Sequence, residues 1–197
     1  MRTTIVESLE EKDLRNLAER FYNDTYLMDQ KACSSPHLLI WLGAESANCR
    51  RRFWDMLNSV AIDKYQLDFV ESVDKLTRVC QDAVQRNDIV SFDGYGTLAY
   101  RVVLQSLPMH SDELKGTFGY FYEYEATDLN ELTKIITDRY QTMTYFGLDK
   151  DELYKFVIEG ELPGIDRLVP VGEGLDIGVV WDGYDVIGTL SRIIDIR

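Results

Sequence analysis

The stretch "SSPHLLIWLGAESANCRRRFWDMLNSVA", residues 34–61, decides the fold class of this chain. Its first part, Leu38 to Leu42, is short, entirely apolar and followed by a glycine, which is typical of a strand buried in a parallel or mixed sheet. The second part has a small, polar start and then places Phe53, Leu57 and Val60 at helical spacing. A buried strand that leads directly into an amphipathic helix indicates an α/β protein.

Strand-like and helical segments alternate along the rest of the chain. In chain order, the patterns predict helices over 9–24 and 67–85, a hairpin over 88–107 that turns at Asp93-Gly94, a β-prone segment over 117–126, a helix over 128–140 capped by Thr127 or Asp128, a strand, turn and helix over 141–160, a strand over 165–176 and a short helix over 184–195. We see no internal repeat, no linker and no domain boundary. The sequence therefore predicts a single α/β domain.

Composition excludes several classes of partner. The chain has 197 residues, is 45% hydrophobic and carries a formal net charge of -13, which argues against binding to nucleic acid or to anionic membrane surfaces. No run approaches the roughly 18 apolar residues that a spanning helix needs, and the charged start has no apolar signal core. With few cysteines and two histidines far apart, a metal site is not expected. We expect a soluble, cytoplasmic protein.

Cys33 stands apart from the other two cysteines. It lies on a small, polar segment ahead of the predicted strand, where a thiol can be exposed and close to backbone N–H groups, as a nucleophile requires. An ordinary loop cysteine is the alternative interpretation. Cys49 and Cys80 fall on apolar helix faces, and both are predicted to be core residues.

His37 follows Cys33 by four residues. A Cys–His pair would suit a nucleophile with a general base, although a histidine at the start of a buried strand can equally make a structural hydrogen bond. His110 lies in a predicted loop and has less to recommend it.

Two segments resemble one known family. The first is "FYNDTYLMDQKACSSPHLLIWLG" with its Asp-Gln pair and Ala-Cys, and the second is the tail "GIDRLVPVGEGLDIGVVWDGYDVIGTLSRII". Together they resemble the acyl-CoA reductase family typified by the bioluminescence fatty-acid reductase, within the aldehyde dehydrogenase superfamily. The matching positions are Asp29, Gln30, Ala32 and Cys33 in the first segment and Gly164, Arg167, Gly172, Asp182 and Gly183 in the tail. Looser similarity in between extends the resemblance over nearly the whole chain.

This resemblance implies a three-layer αβα domain like the catalytic domain of aldehyde dehydrogenases. It also implies that Cys33 attacks a long-chain acyl-CoA or acyl-protein thioester, and that NADPH then reduces the acyl-enzyme to an aldehyde. The backbone N–H of Cys33 would supply one oxyanion donor. The residues implied to lie near substrate or cofactor are Gln30, Ser34, His37, Phe118 and Gly119.

The family's dinucleotide-binding part is not found in this chain. No GxGxxG follows a strand and opens a helix, and "DGYGT" is a predicted hairpin turn. Gly116 stands where many aldehyde dehydrogenases carry a glutamate that contacts the nicotinamide ribose. Residues 1–197 are therefore expected to be the catalytic-cysteine part. Its expected partners are the missing N-terminal domain or another subunit, an acyl-protein synthetase, and further copies of the chain in a homo-oligomer.

Other functions stay open. The chain could be a non-catalytic interaction domain, with the "WDGYD" loop (Trp181 to Asp185) as an interface, although packing of the last helix onto the sheet by Trp181 and Tyr184 is the simpler interpretation. It could also be a stand-alone acyltransferase or thioesterase that uses Cys33 and His37. The basic run Arg50 to Arg52 either meets the phosphates of CoA or is a solvated helix face.

Overall fold

The fold is built around a four-stranded sheet with the strand order β1-β4-β3-β2. The computed structural model describes residues 1–43, 47–109 and 114–196. The helices are α1 (Thr3–Glu7), α2 (Glu11–Thr25), α3 (Ala47–Lys64), α4 (Phe69–Gln85), α5 (Lys150–Tyr154) and α6 (Val186–Leu190). The strands are β1 (Leu38–Leu42), β2 (Ile89–Tyr95), β3 (Ala99–Leu104), β4 (Tyr120–Ala126), β5 (Thr142–Tyr145), β6 (Arg167–Pro170), β7 (Val180–Trp181) and β8 (Tyr184–Asp185).

The main sheet is mixed, as the sequence predicts. Strand β4 pairs in parallel with both β1 and β3, and β2 pairs with β3 as an antiparallel hairpin. Two small sheets lie outside it: β5 and β6 pair in parallel, and β7 and β8 form a short antiparallel pair. The parallel pairing of β1 and β4 places the start of β1, and hence the segment before it, beside the start of β4.

An aromatic core joins one face of the sheet to α2 and α3. Phe21, Phe53 and Trp54 meet Trp41 of β1 and Phe121 of β4, and none of the five side chains is more than 1% exposed. Neighbouring ring centroids lie between 5.3 and 6.5 Å apart, mostly in edge-to-face or tilted arrangements. Such pairs add to the free energy gained by burying the rings.

The opposite face is covered by α4 and by the segment that follows β4. Leu42 and Ala126 pack against the turn over 129–134 and against residues further along the chain, and Val102 packs close to Tyr120 and Tyr122. Because successive residues of a strand point to opposite faces, β4 feeds both cores. The result is the three-layer αβα arrangement that was expected.

Three local predictions are corrected by the structure. The hairpin turn is over 96–98 rather than at Asp93-Gly94, which lies within β2. The segment 128–140 holds only a 3₁₀ helix over Leu129–Lys134, although Asp128 does cap it by accepting a hydrogen bond from the Asn130 N–H at 2.6 Å. Helix α6 buries no side chain, so it does not pack onto the main sheet.

Helix α4 buries the face opposite to the expected one. Its apolar residues Phe69 and Val84 are 83% and 85% exposed, and Cys80 is exposed rather than in the core. The buried residues of α4 are Lys75 and Asp82. They satisfy polar groups of the sheet and its loops, which outweighs the burial of apolar side chains here. Cys49 is buried as expected, and burial raises the pKa of its thiol to about 11.

No helix in the described part of the chain is long and apolar enough to cross a membrane.

Candidate functional site

The segment that carries Cys33 is reached through two left-handed residues. After α2, the 3₁₀ turn over Tyr26–Met28 leads into Asp29 and Gln30, whose φ angles are 54° and 56°. Non-glycine residues adopt this conformation rarely and at a cost. It is held here because the Asp29 carboxylate accepts a hydrogen bond from the Tyr65 hydroxyl at 2.8 Å and its carbonyl accepts one from the Phe118 N–H at 3.2 Å.

Gln30 ties this segment to the start of β4. Its side-chain Oε1 accepts hydrogen bonds from the Gly119 and Tyr120 N–H groups at 2.8 and 3.0 Å. Its Nε2 donates to the Pro36 and Tyr120 carbonyls at 3.1 and 3.2 Å. Gln30 is 1% exposed, and its amide is engaged by backbone groups. The geometry suits a residue that positions the Cys33 segment, because the amide has little capacity left for a ligand.

A cavity of about 710 Å³ opens at this segment. Cys33 is exposed and lines the cavity together with Ser34, Ser35 and His37. Much of the remaining lining is aliphatic and comes from the segment after β4 and from the region of β5 and beyond: Leu129, Leu132, Ile135, Ile136, Leu148 and Ile165. Such a cavity, with a polar rim around a thiol and an apolar wall, fits a ligand with one polar reacting group and an alkyl part.

The backbone around Cys33 leaves donors available. Within the described part of the chain, the N–H groups of Cys33 and Ser34 donate to no backbone or side-chain acceptor, whereas the Ser35 N–H closes a turn onto the Ala32 carbonyl at 3.0 Å. A backbone N–H beside a nucleophile is the usual source of oxyanion stabilisation.

His37 lines the same cavity and has a defined hydrogen bond. Its Nδ1 lies 2.9 Å from the Gly116 carbonyl oxygen, so Nδ1 carries the proton and Nε2 is left as an acceptor in the neutral ring. Burial lowers the pKa of His37, an effect that the bond to Gly116 partly offsets. Of the two roles that the sequence left open, the structure shows the structural bond through Nδ1, and Nε2 is left as an acceptor.

Phe118 and Gly119 are not among the residues that line the cavity. Phe118 is 5% exposed, and the Lys31 ammonium lies 4.2 Å from the centroid of its ring. Gly119 has a φ of +83°, and a Cβ there would lie 2.1 Å from the Leu98 carbonyl oxygen. Both residues shape the entry to β4, and neither lines the cavity that contains Cys33.

The other residues singled out from the sequence are also located. Arg50 pairs with Glu125, Arg51 with Asn48, and Arg52 with the carbonyls of Glu7 and Leu9, and none of the three arginines lines the Cys33 cavity. Trp181 is half-buried, and the Arg167 guanidinium lies over its ring, 4.2 Å from the ring centroid. Tyr184 is 68% exposed. His110 lies outside the described residues.

Some cavity residues had no signal in the sequence. The side-chain oxygens Oγ of Ser35, Oε1 of Gln141 and Oγ1 of Thr142 are buried and find no hydrogen-bond partner among the described residues, and all three residues line the cavity. Gln141 and Thr142 are about a hundred positions from Cys33, so only the tertiary fold brings them to it. Among the described residues, no cluster of three or more histidine, cysteine or acidic residues could hold a metal ion.

Comparison with known proteins gives a distant structural similarity. No protein-family model matches the chain, and no curated protein matches its sequence. Among solved structures it is similar to aldehyde dehydrogenase 21 from Physcomitrella patens, determined in complex with its reaction product succinate, with a TM-score of 0.48 and 13% sequence identity. The similarity covers 78% of this chain and 34% of that chain, so these residues span about a third of that protein's length.

Proposed function

We propose that this chain is the cysteine-bearing part of an acyl thioester reductase that forms an aldehyde through an acyl-enzyme on Cys33. The observation that carries the proposal is the exposed thiol that lines a cavity of about 710 Å³ with many aliphatic wall residues. The resemblance of the segment around Cys33 to acyl-CoA reductases supports it independently. A long-chain acyl thioester, on CoA or on a protein, is the substrate class that joins a thiol-reactive carbonyl to an alkyl chain.

The step that these residues can carry is acyl transfer to Cys33. The Cys33 sulfur attacks the thioester carbonyl carbon, and its proton passes to a base. The developing oxyanion is stabilised by the free N–H of Cys33. The bond from the carbonyl carbon to the carrier sulfur then breaks, and the carrier leaves as a thiol after taking up the proton. Each oxyanion donor contributes about 3–4 kcal/mol to lowering such a barrier.

His37 is the candidate base in this proposal. Its ring is neutral because burial lowers its pKa, and its Nδ1 bond to Gly116 leaves Nε2 to receive the thiol proton. The available Nε2 of His37 beside the Cys33 segment also favours a second candidate function. This is a thioesterase or acyltransferase, in which water or another nucleophile takes the acyl group from Cys33. The two functions share the acyl-enzyme and differ in what consumes it.

NADPH, which the resemblance implies, does not fit the residues described here. Of the two "DGYGT" glycines, Gly94 lies within β2 and Gly96 in the hairpin turn that follows it, so neither stands between a strand and a helix as a dinucleotide cradle requires. A side chain at position 116 is also excluded, because a Cβ there would lie 1.8 Å from the Tyr120 carbonyl oxygen. The proposal therefore assigns cofactor binding to a dinucleotide-binding domain outside these 197 residues.

The experiment is intact-mass spectrometry after incubation with a long-chain acyl-CoA. We expect one acyl adduct on the chain, absent in Cys33→Ser and retained in the matched variant Cys80→Ser, because Cys80 is also exposed but lies on α4 away from the cavity. His37→Ala should slow the adduct without abolishing it. An adduct that persists in Cys33→Ser and disappears in Cys80→Ser would refute the assignment of the nucleophile.

Acylated protein then separates the two functions. Spontaneous loss of the acyl group as free acid would favour the thioesterase. A stable acyl-enzyme that is discharged as aldehyde only when NADPH and a dinucleotide-binding domain are supplied would favour the reductase.

A further inference from the structure

A second, smaller cleft lies beside α4 and has a volume of about 290 Å³. Three of its lining side chains are cationic, one is acidic, three carry hydroxyl groups and one is an amide. In that order they are Lys75, Arg78 and Lys115; Asp74; Thr77, Thr117 and Tyr120; and Gln81. In a chain whose net charge is -13, a cleft with this excess of cations indicates an anionic ligand.

The cations of this cleft are held in place. Lys75 is 2% exposed and its Nζ donates to the Phe118 and Leu98 carbonyls at 2.7 and 3.2 Å, which leaves one of its three N–H donors. The Arg78 guanidinium donates through Nε to the Tyr122 hydroxyl at 2.9 Å and lies 3.2 Å from the Asp82 carboxylate. A ligand that binds here does not have to order these two side chains, so little conformational entropy is lost on binding.

Burial also disfavours the charged form of Lys75, because its ammonium is desolvated. It lowers the pKa of Lys75 to about 8, and the attraction of Glu71 only partly opposes this. An anion in the cleft would relieve that unfavourable desolvation. Phosphate fits the donor set, because it accepts several charge-assisted hydrogen bonds from lysine, arginine and hydroxyl groups at once.

The cleft adjoins the Cys33 cavity. Lys115 and Thr117 line both, so the backbone over 115–117 forms the wall between them. A ligand that occupied both would place a phosphate beside α4 and a thioester at Cys33. Phosphopantetheine, the thiol arm of CoA and of acyl carrier proteins, has this combination of groups.

We propose that the cleft lined by Lys75, Arg78 and Lys115 binds the phosphate of the phosphopantetheine arm that carries the acyl thioester. This inference rests on the proposed acylation of Cys33, and it names the substrate class by the carrier. It also gives the phosphate a site in place of Arg50 to Arg52, which are bonded elsewhere in the structure.

The test is to measure ligand affinity by isothermal titration calorimetry, with the full chain carrying Cys33→Ser. This variant cannot form a disulfide with a thiol ligand at position 33. The probes are pantetheine, 4′-phosphopantetheine and CoA. We expect 4′-phosphopantetheine to bind roughly tenfold or more tightly than pantetheine, since several charge-assisted hydrogen bonds depend on the phosphate. Higher ionic strength should reduce the difference.

Substitution of Lys115 locates the site. Lys115 is exposed, so Lys115→Ala should fold normally, weaken 4′-phosphopantetheine binding by roughly fivefold and weaken pantetheine binding much less. Lys115→Arg should restore most of the affinity. The matched control is Lys12→Ala, which removes an exposed lysine from α2, outside the cleft.

Each outcome decides the proposal. Equal affinity for pantetheine and 4′-phosphopantetheine, no binding of either, or unchanged affinity in Lys115→Ala would overturn it. If CoA binds with an affinity within about twofold of that of 4′-phosphopantetheine, the proposal is supported and a phosphopantetheine arm on a protein is sufficient as the carrier. If CoA binds more tightly, the proposal is supported with CoA as the carrier. Because binding is measured without Cys33, failure here is distinguishable from failure of the acylation, which is measured by mass with Cys33 present.

Discussion

Removal of the Gln30 amide should destabilise the protein and loosen the Cys33 segment. In Gln30→Ala, the Gly119 N–H loses the Gln30 acceptor and the Pro36 carbonyl loses the Gln30 donor. The Tyr120 N–H keeps a second acceptor, the Thr117 carbonyl at 3.2 Å. A buried polar group left without a partner costs about 1–3 kcal/mol, so two such groups cost about 2–6 kcal/mol.

The assay is urea unfolding together with a thermal melt. For a chain of this size each kcal/mol lowers the midpoint temperature by about 2–4 °C, so we expect a fall of roughly 10 °C. Gln30→Leu keeps the side-chain volume and tests the hydrogen bonds alone. Gln66→Ala is the control, because Gln66 is an exposed glutamine in the loop between α3 and α4.

Gln30→Glu adds a pH dependence whose sign follows from the same contacts. An ionised carboxyl can still accept from the Gly119 N–H but faces the Pro36 and Tyr120 carbonyls, to which Gln30 donates. Burial and these carbonyls should raise the pKa of the introduced carboxyl in the folded state. The stability of this variant relative to wild type is then greatest at acid pH and is lost as the pH rises through the raised pKa.

The reasoning about Gln30 would be refuted by either of two results. One is a loss below about 1 kcal/mol in both Gln30→Ala and Gln30→Leu, which is less than one unsatisfied group should cost. The other is a difference between Gln30→Glu and wild type that does not change with pH.

Two further predictions concern the segments beside the site. Gly116→Ala should lower the free energy of unfolding, measured in urea, by at least about 2 kcal/mol, because its Cβ would lie 1.8 Å from the Tyr120 carbonyl oxygen. The control Gly96→Ala has open space around its Cβ and should lower it by only about 1 kcal/mol, through backbone strain. Equal losses of stability in the two variants would contradict this reasoning. The stability of wild type relative to Lys75→Met should rise as the pH increases from about 8 towards 10.5, because the lowered pKa of Lys75 means that the unfolded chain binds more protons in that window. Parallel pH profiles of the two proteins would rule out the lowered pKa of Lys75.

The local elements of the fold could be predicted from the sequence because their signals are local. The apolar run Leu38–Leu42 is a buried strand, and the helix that follows it spans Ala47–Lys64 as the spacing of its apolar residues indicates. The Asp128 cap is also correct. The predicted helix over 128–140 was wrong in extent, since tertiary packing shortens it to one 3₁₀ segment.

Part of the candidate site could also be reached from the sequence. The small, polar residues around Cys33 marked it as a thiol outside the core, and the structure leaves it exposed. His37 could be placed nearby because only three residues separate it from Cys33. Its tautomer could not, because it depends on the Gly116 carbonyl, 79 positions away.

Only the tertiary structure decided which face of α4 is buried. Its apolar periodicity predicts a helix packed through Phe69 and Val84, yet Lys75 and Asp82 are the residues that face the protein. The reason is that the sheet presents polar groups there: the Leu98 and Phe118 carbonyls accept from Lys75, and the Tyr120 and Tyr122 hydroxyls donate to Asp82 at 2.8 and 2.5 Å. Buried polar groups must find partners, and periodicity carries no information about partners supplied by another part of the chain. The wall of the Cys33 cavity is beyond sequence reasoning for the same reason, because its residues come from segments that lie far apart in the chain.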